Sequence, residues 1–142
     1  MGLTLLDAGV LIGFMDAIDV HHAQSKQAIS DAVDRHDQIA VPASAYAEAL
    51  VVPVRLGDRA LAAAHRVVEE LPLQVIPINA AIAEVAAHLR QRHGATLRLP
   101  DALVIATAVH LDADALVTTD RRWPRRSALG LRGDLVVLAA RD

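Results

Sequence analysis

The 142-residue sequence contains no cysteine, a single lysine and only three aromatic residues. Without thiols there are neither disulfides nor thiolate metal sites, so a bound metal must be held by oxygen or imidazole, and a hard cation suits oxygen best. No apolar run approaches the roughly 20 residues of a membrane span. The N-terminus also lacks a basic segment leading into a secretory core, so a cytoplasmic location is expected. A formal net charge of −3 argues against a protein that coats polyanions indiscriminately. What the chain has instead is aliphatic content. Hydrophobic residues make up 54% of it, ample for the core of one domain spanning residues 1–142.

Apolar runs of strand length alternate with segments of helical period. Leu3 to Leu6 predicts a first buried strand, followed by a short helix from about Val10 to Met15. His21 to Arg35 is helical in period, with Ala23, Ala28, Ile29 and Ala32 as its inner stripe. Ile39 to Val41 reads as strand two, stopped by Pro42. Helices follow from Ser44 to about Val52 and from Arg59 to Glu70. Leu73 to Ile76 is strand three, set off by Pro72 and Pro77. Asn79 suits the N-cap of a helix over Ala80 to Arg92, whose inward residues are Ile82, Val85, Ala86 and Leu89, and Gly94 ends it. Pro100 starts a helix to His110 or Leu111. Leu116 to Thr118 and Leu135 to Leu138 complete the strands. Strands separated by helices of ten or more residues imply a three-layer α/β/α domain around a mainly parallel sheet of about five strands.

Four acids stand out against this pattern: Asp7 after Leu3 to Leu6, Glu48 in an Ala-rich helix, Asp101 opening an apolar helix, and Asp120 after Val117-Thr118-Thr119. Three of them lie at strand ends or helix starts, the edge where open α/β folds build their sites. Asp7 and Asp101 also suit helix caps, and Asp120 suits a turn. Glu48 is harder to explain structurally, because an unpaired charge on a largely apolar helix is costly. If the four converge, they offer a magnesium-like ion the oxygen ligands it prefers. Such an ion acidifies water and neutralises charge on a phosphate, which is the chemistry of metal-dependent phosphodiester hydrolysis.

In order along the chain, Leu5-Leu6-Asp7-Ala8-Gly9-Val10-Leu11-Ile12, Ser44 with Glu48, Leu99-Pro100-Asp101-Ala102-Leu103-Val104-Ile105-Ala106-Thr107-Ala108, and Val117-Thr118-Thr119-Asp120 resemble the signature of the PIN-domain ribonucleases. The compact length is most similar to the VapC-type toxins of prokaryotic toxin–antitoxin pairs. The resemblance implies that Asp7, Glu48, Asp101 and Asp120 bind Mg2+ or Mn2+ and carry catalysis, with Thr118 supporting the last acid through a hydrogen bond. It implies an RNA substrate cut to 5′-phosphate and 3′-hydroxyl ends, a homodimer, and inhibition by a small antitoxin protein. One position departs. The family commonly has a small hydroxyl or amide two residues after the first acid, where this chain has Gly9; that bears on one polar contact and not on the cluster itself.

Thirteen of the fourteen basic residues are arginine, and Arg121, Arg122, Arg125 and Arg126 cluster just after Asp120. Their guanidinium forks suit an RNA backbone, although a solvated loop explains them as well. His21 and His22 are adjacent on a helical segment and point apart, and no second pair recurs at zinc spacing. His65, His88, His93 and His110 are scattered. Trp123 either stacks on a base or anchors its loop. Other functions fit less well. A phosphoacceptor receiver needs a lysine near a late strand, and Lys26 lies elsewhere; a haloacid-type phosphatase wants an acid where Gly9 stands. A catalytically idle PIN-like protein that binds RNA or a partner is the remaining alternative, and metal titration discriminates it.

Overall fold

Leu3–Leu6 forms strand β1 and lies at the centre of the sheet, where both faces and both edges are covered. It carries leucines on both faces, as a doubly covered parallel strand requires, and Leu5 and Leu6 are completely buried. Burying a leucine side chain contributes about 2 kcal/mol, so this short run anchors the domain. The computed structural model describes residues 2–141. After β1 come helices α1 (Ala8–Met15) and α2 (His22–Asp34), strand β2 (Gln38–Pro42), helices α3 (Ala43–Leu56) and α4 (Asp58–Glu70), and strand β3 (Gln74–Ile76). Then follow α5 (Ala80–His93), a single 3-10 turn at Gly94–Thr96, α6 (Leu99–Leu111), β4 (Ala115–Thr118), α7 (Arg126–Leu129) and β5 (Asp134–Val137).

The five strands are all parallel and run in the order β3-β2-β1-β4-β5. From β1 the chain moves outward to β3, then returns past β1 to β4 and on to β5. Crossovers of one hand then cover both faces of the sheet, giving three layers. Among the described residues no helix is long and apolar enough to cross a membrane.

Several boundaries differ from the sequence expectation. Helix α1 starts at Ala8, directly on Asp7. Helix α3 does not stop near Val52; it passes through Pro53 and ends at Gly57, whose φ of 113° is one that residues with a Cβ rarely adopt. Proline removes one hydrogen bond there, but the packed helix continues. The inner stripe of α2 is Ser25, Ile29 and Ala32, spaced four and three apart, while Ala23 faces outward and Ala28 is half-buried. In α5, Ile82, Ala86 and Leu89 are buried as the period predicts, and Val85 is half-buried. Short α7 was not expected. Helix α6 buries Ala102, Val104, Ile105, Ala106, Thr107 and Ala108, which explains its apolar character all round.

Candidate metal centre

The strand order reverses between β1 and β4, so a crevice opens at their C-terminal ends. Asp7 follows β1 and Asp120 lies two residues beyond β4, one on each side of that crevice. Hydrogen bonding ties the two strand ends together: the Asp7 backbone N–H donates to the Val117 carbonyl at 2.9 Å. Glu48 enters from the second turn of α3, after β2, and Asp101 from the first turn of α6.

Asp7 is held hardest. It is 8% exposed and caps α1, its Oδ1 accepting from the Ala8 N–H at 2.8 Å and its Oδ2 from the Thr118 hydroxyl at 2.7 Å. Burial pushes its pKa from 3.8 to about 6; the two hydrogen bonds act in the opposite sense, and the charges on Asp101 and Glu48 push it further up. Thr118 is fully buried, and its hydroxyl also accepts the Asp120 backbone N–H at 3.1 Å. The threonine therefore links the first acid's carboxylate to the last acid's backbone, and its hydroxyl proton goes to Asp7, not to the Asp120 side chain.

Glu48 and Asp101 are raised in pKa by burial first, then by neighbouring acids: Asp101 acts on Glu48, and Asp120 acts on Asp101. Trp123, Arg98 and Arg122 partly counter the rise at Asp101. These couplings put all four acids in one electrostatic neighbourhood. Glu48 is nonetheless exposed, so the burial cost that its apolar helix suggested is largely avoided. Among the described residues no three acidic or histidine side chains stand close enough to share one ion. The donor set fits a hard divalent cation in chemistry, all oxygen with repelling charges, and its spacing is open.

Of the four arginines, Arg122 folds back on Asp120, donating its backbone N–H to Oδ1 at 2.8 Å and its Nε to the same oxygen at 3.3 Å. Arg126 opens α7 and donates to the carbonyls of Arg132 and Gly133. Within this cluster of four, Arg121 and Arg125 are exposed and make no side-chain hydrogen bond among the described residues. The histidines are taken up locally. His21 sits 3.5 Å from Asp19 and His22 bonds the Gly13 carbonyl, His93 contacts the Ala128 carbonyl, and His65, His88 and His110 are exposed.

Gly9 has a structural reason that the sequence did not reveal. A Cβ placed there would stand 2.2 Å from the Thr119 hydroxyl oxygen, so Thr119 fills the space beside the start of α1. Nothing in linear spacing connects two residues so far apart. A groove of about 510 Å³ leads to Glu48 between α1, α3 and α4. Its walls are apolar, with Ile12, Met15, Val52 and Leu56 among them, and Asp16 and Glu48 are its acidic residues.

Residues 4–129 match the model of the PIN domain. Among solved structures, a toxin–antitoxin complex from Klebsiella pneumoniae is 26% identical over 82% of this chain and 86% of its own, with a TM-score of 0.63. VapBC2 from Rickettsia felis, bound to a promoter DNA fragment, is 17% identical over 94% and 98%, with a TM-score of 0.70. VapC20 from Mycobacterium tuberculosis, a toxin that cleaves the sarcin–ricin loop, is 18% identical over 80% and 86%, with a TM-score of 0.64. No curated protein sequence matches the chain significantly. With a match over most of its length and the fold of VapC-type toxins around a crevice of four acids, the chain belongs to the PIN-domain family.

Proposed function

We propose that this protein is a metal-dependent endoribonuclease and the toxin of a type II toxin–antitoxin pair. The observation that carries the reading is Asp7: a buried carboxylate at the switch point, crowded by Asp101 and Glu48 and raised to a pKa of about 6. A fold keeps such an unfavourable charge where a cation is to be held. Asp7, Glu48, Asp101 and Asp120 would hold Mg2+ or Mn2+. When bound, the ion supplies positive charge to the scissile phosphate and acidifies a water. Asp7, with both oxygens already fixed by Ala8 and Thr118, serves as the rigid ligand. Glu48 and Asp101, whose carboxylates make no side-chain hydrogen bond of full geometry among the described residues, are free to turn inward and steer the attacking water. Arg121 and Arg125 are free to contact the RNA backbone.

The apolar groove ending at Glu48 suits an antitoxin segment with an aliphatic face and an arginine. The guanidinium would meet Glu48 and its acidic neighbours in place of the metal. The similar structure from Klebsiella pneumoniae is a toxin–antitoxin complex. Purified Asp7→Asn and Asp101→Asn variants should fold and lose RNA cleavage by roughly a hundredfold or more. Full cleavage by either variant would overturn the assignment. Failure of the wild type to bind Mn2+ or cut RNA would favour the catalytically idle alternative.

A further inference from the structure

Gly9 is the second residue of α1, and its φ is not one of the positive values that call for glycine. Within a helix glycine costs about 1 kcal/mol against alanine, so its presence here needs a reason in packing. The reason is Thr119. The three heavy atoms nearest to a Cβ built at position 9 all belong to that side chain, with Oγ1 far inside contact distance, Cβ at 3.4 Å and Cγ2 at 3.6 Å. Thr119 makes no hydrogen bond of its own among the described residues, so this seat on the bare Cα is what holds it. Its neighbours form one rigid turn: the Asp120 N–H donates to the Thr118 hydroxyl at 3.1 Å, and Asp120 Oδ1 accepts the Arg122 N–H at 2.8 Å. The end of β4 meets the first acid at two points, where the Val117 carbonyl accepts the Asp7 N–H at 2.9 Å and the Thr118 hydroxyl donates to Asp7 Oδ2 at 2.7 Å. Both points lie on Asp7 itself and leave the turn able to pivot about it. The seat on Gly9 is a third point, two residues along α1, and three points fix a body where two leave a hinge.

We propose that Thr119 is a positioning residue: seated on Gly9, it stops the turn from pivoting on Asp7 and so fixes Asp120 across the crevice from the Asp7 carboxylate. This rests on the metal-dependent reading above. Asp7 and Asp120 then form the rigid half of the cation site, while Glu48 and Asp101 form the half that adjusts. Holding two ligands in place before the ion arrives removes motion that binding would otherwise have to stop. The seat works through shape, and the Thr119 hydroxyl is not a ligand.

Exchanging side-chain size between the two positions tests this. Thr119→Ala empties the seat and Gly9→Ala pushes the turn away, so each should weaken Mn2+ binding in calorimetry by about tenfold, as losing a group that orients a metal ligand does. The double variant puts a methyl at position 9 into the space the threonine leaves, and should recover most of the affinity. The two losses are then far from additive. Thr119→Val keeps the shape without the hydroxyl and should bind Mn2+ as the wild type does. In metal-free protein, hydrogen exchange at the Asp120 amide should quicken in Thr119→Ala and slow again in the double variant. Single variants with wild-type Mn2+ affinity, or losses that add in the double variant, would overturn the proposal. Thr119→Val binding as weakly as Thr119→Ala would do so too, because the hydroxyl and not the seat would then be at work. If the wild type bound no Mn2+ at all, the nuclease reading would fail; faster Asp120 exchange in Thr119→Ala would still uphold the seat, and unchanged exchange would overturn it.

Discussion

Asp7→Asn separates the energetics of the site from its activity. The carboxyl is 8% exposed, and its pKa rises from 3.8 to about 6, chiefly through burial and further through Asp101 and Glu48. At 1.36 kcal/mol per tenfold change in acidity, this corresponds to about 3 kcal/mol of lost stability once the group is ionised. Linkage sets the pH window: below 3.8 the acid is neutral in both folded and unfolded chains and the penalty vanishes, while above about 6 it is charged in both and the penalty is complete. Asparagine has the same shape and no charge. It has one oxygen, however, and cannot accept from both the Ala8 N–H and the Thr118 hydroxyl, which returns about 1–2 kcal/mol. The variant should therefore be more stable than the wild type by about 1–2 kcal/mol at pH 8. At about 2.1 cal/mol/K per residue for 142 residues, that is a rise in Tm of about 3–7 °C. Thermal unfolding by circular dichroism, without divalent ions, should show the advantage shrinking to nothing, or reversing, by pH 4. Added Mg2+ should raise the Tm of the wild type and not of the variant. A variant no more stable at pH 8, or a difference that does not change with pH, would refute the claim that Asp7 is held charged against burial and repulsion.

The opposite end of the sheet should respond to pH in the opposite sense. Burial pushes Asp37 up, but hydrogen bonds from the Thr4 hydroxyl, the Gly2 N–H and the Arg35 guanidinium outweigh it and hold its pKa below 3.8. Its contribution is present above that value and lost as pH falls through the folded pKa. Asp37→Asn should thus cost about 1–3 kcal/mol in urea unfolding at pH 7, and the cost should shrink progressively as pH falls below 3.8. Gly9→Ala should destabilise by about 1–3 kcal/mol because its Cβ meets the Thr119 hydroxyl, and Thr119→Ala in the same chain should recover most of that loss. Replacing Arg121 and Arg125 with glutamine should weaken RNA binding irrespective of sequence and reduce the slope of log affinity against log salt by about 2, read by fluorescence anisotropy at several salt concentrations. An unchanged slope would leave these arginines as solvated loop residues.

Local chemistry along the chain determined a good deal. Alternating runs such as Leu3–Leu6 and Ala115–Thr118 with amphipathic helices between them specify parallel α/β architecture, because both faces of such strands must be covered. Asp7, Asp101 and Asp120 were readable as residues of the sheet's C-terminal edge, since strand ends and helix starts are local features. The end of α3 was not. Pro53 signals a stop by itself, and packing of α3 against α1 and α4 carries the helix on to Gly57. Burial was the other quantity that only the tertiary structure decided. From sequence, Glu48 seemed the acid in most need of a partner; in the fold it is exposed, and Asp7 is the most deeply buried of the four. Contacts between distant segments lie beyond any linear pattern: the Thr118 hydroxyl on Asp7 and Thr119 against Gly9. Each depends on β1 and β4 meeting at one crevice, and that meeting is a property of strand order, which no single segment encodes.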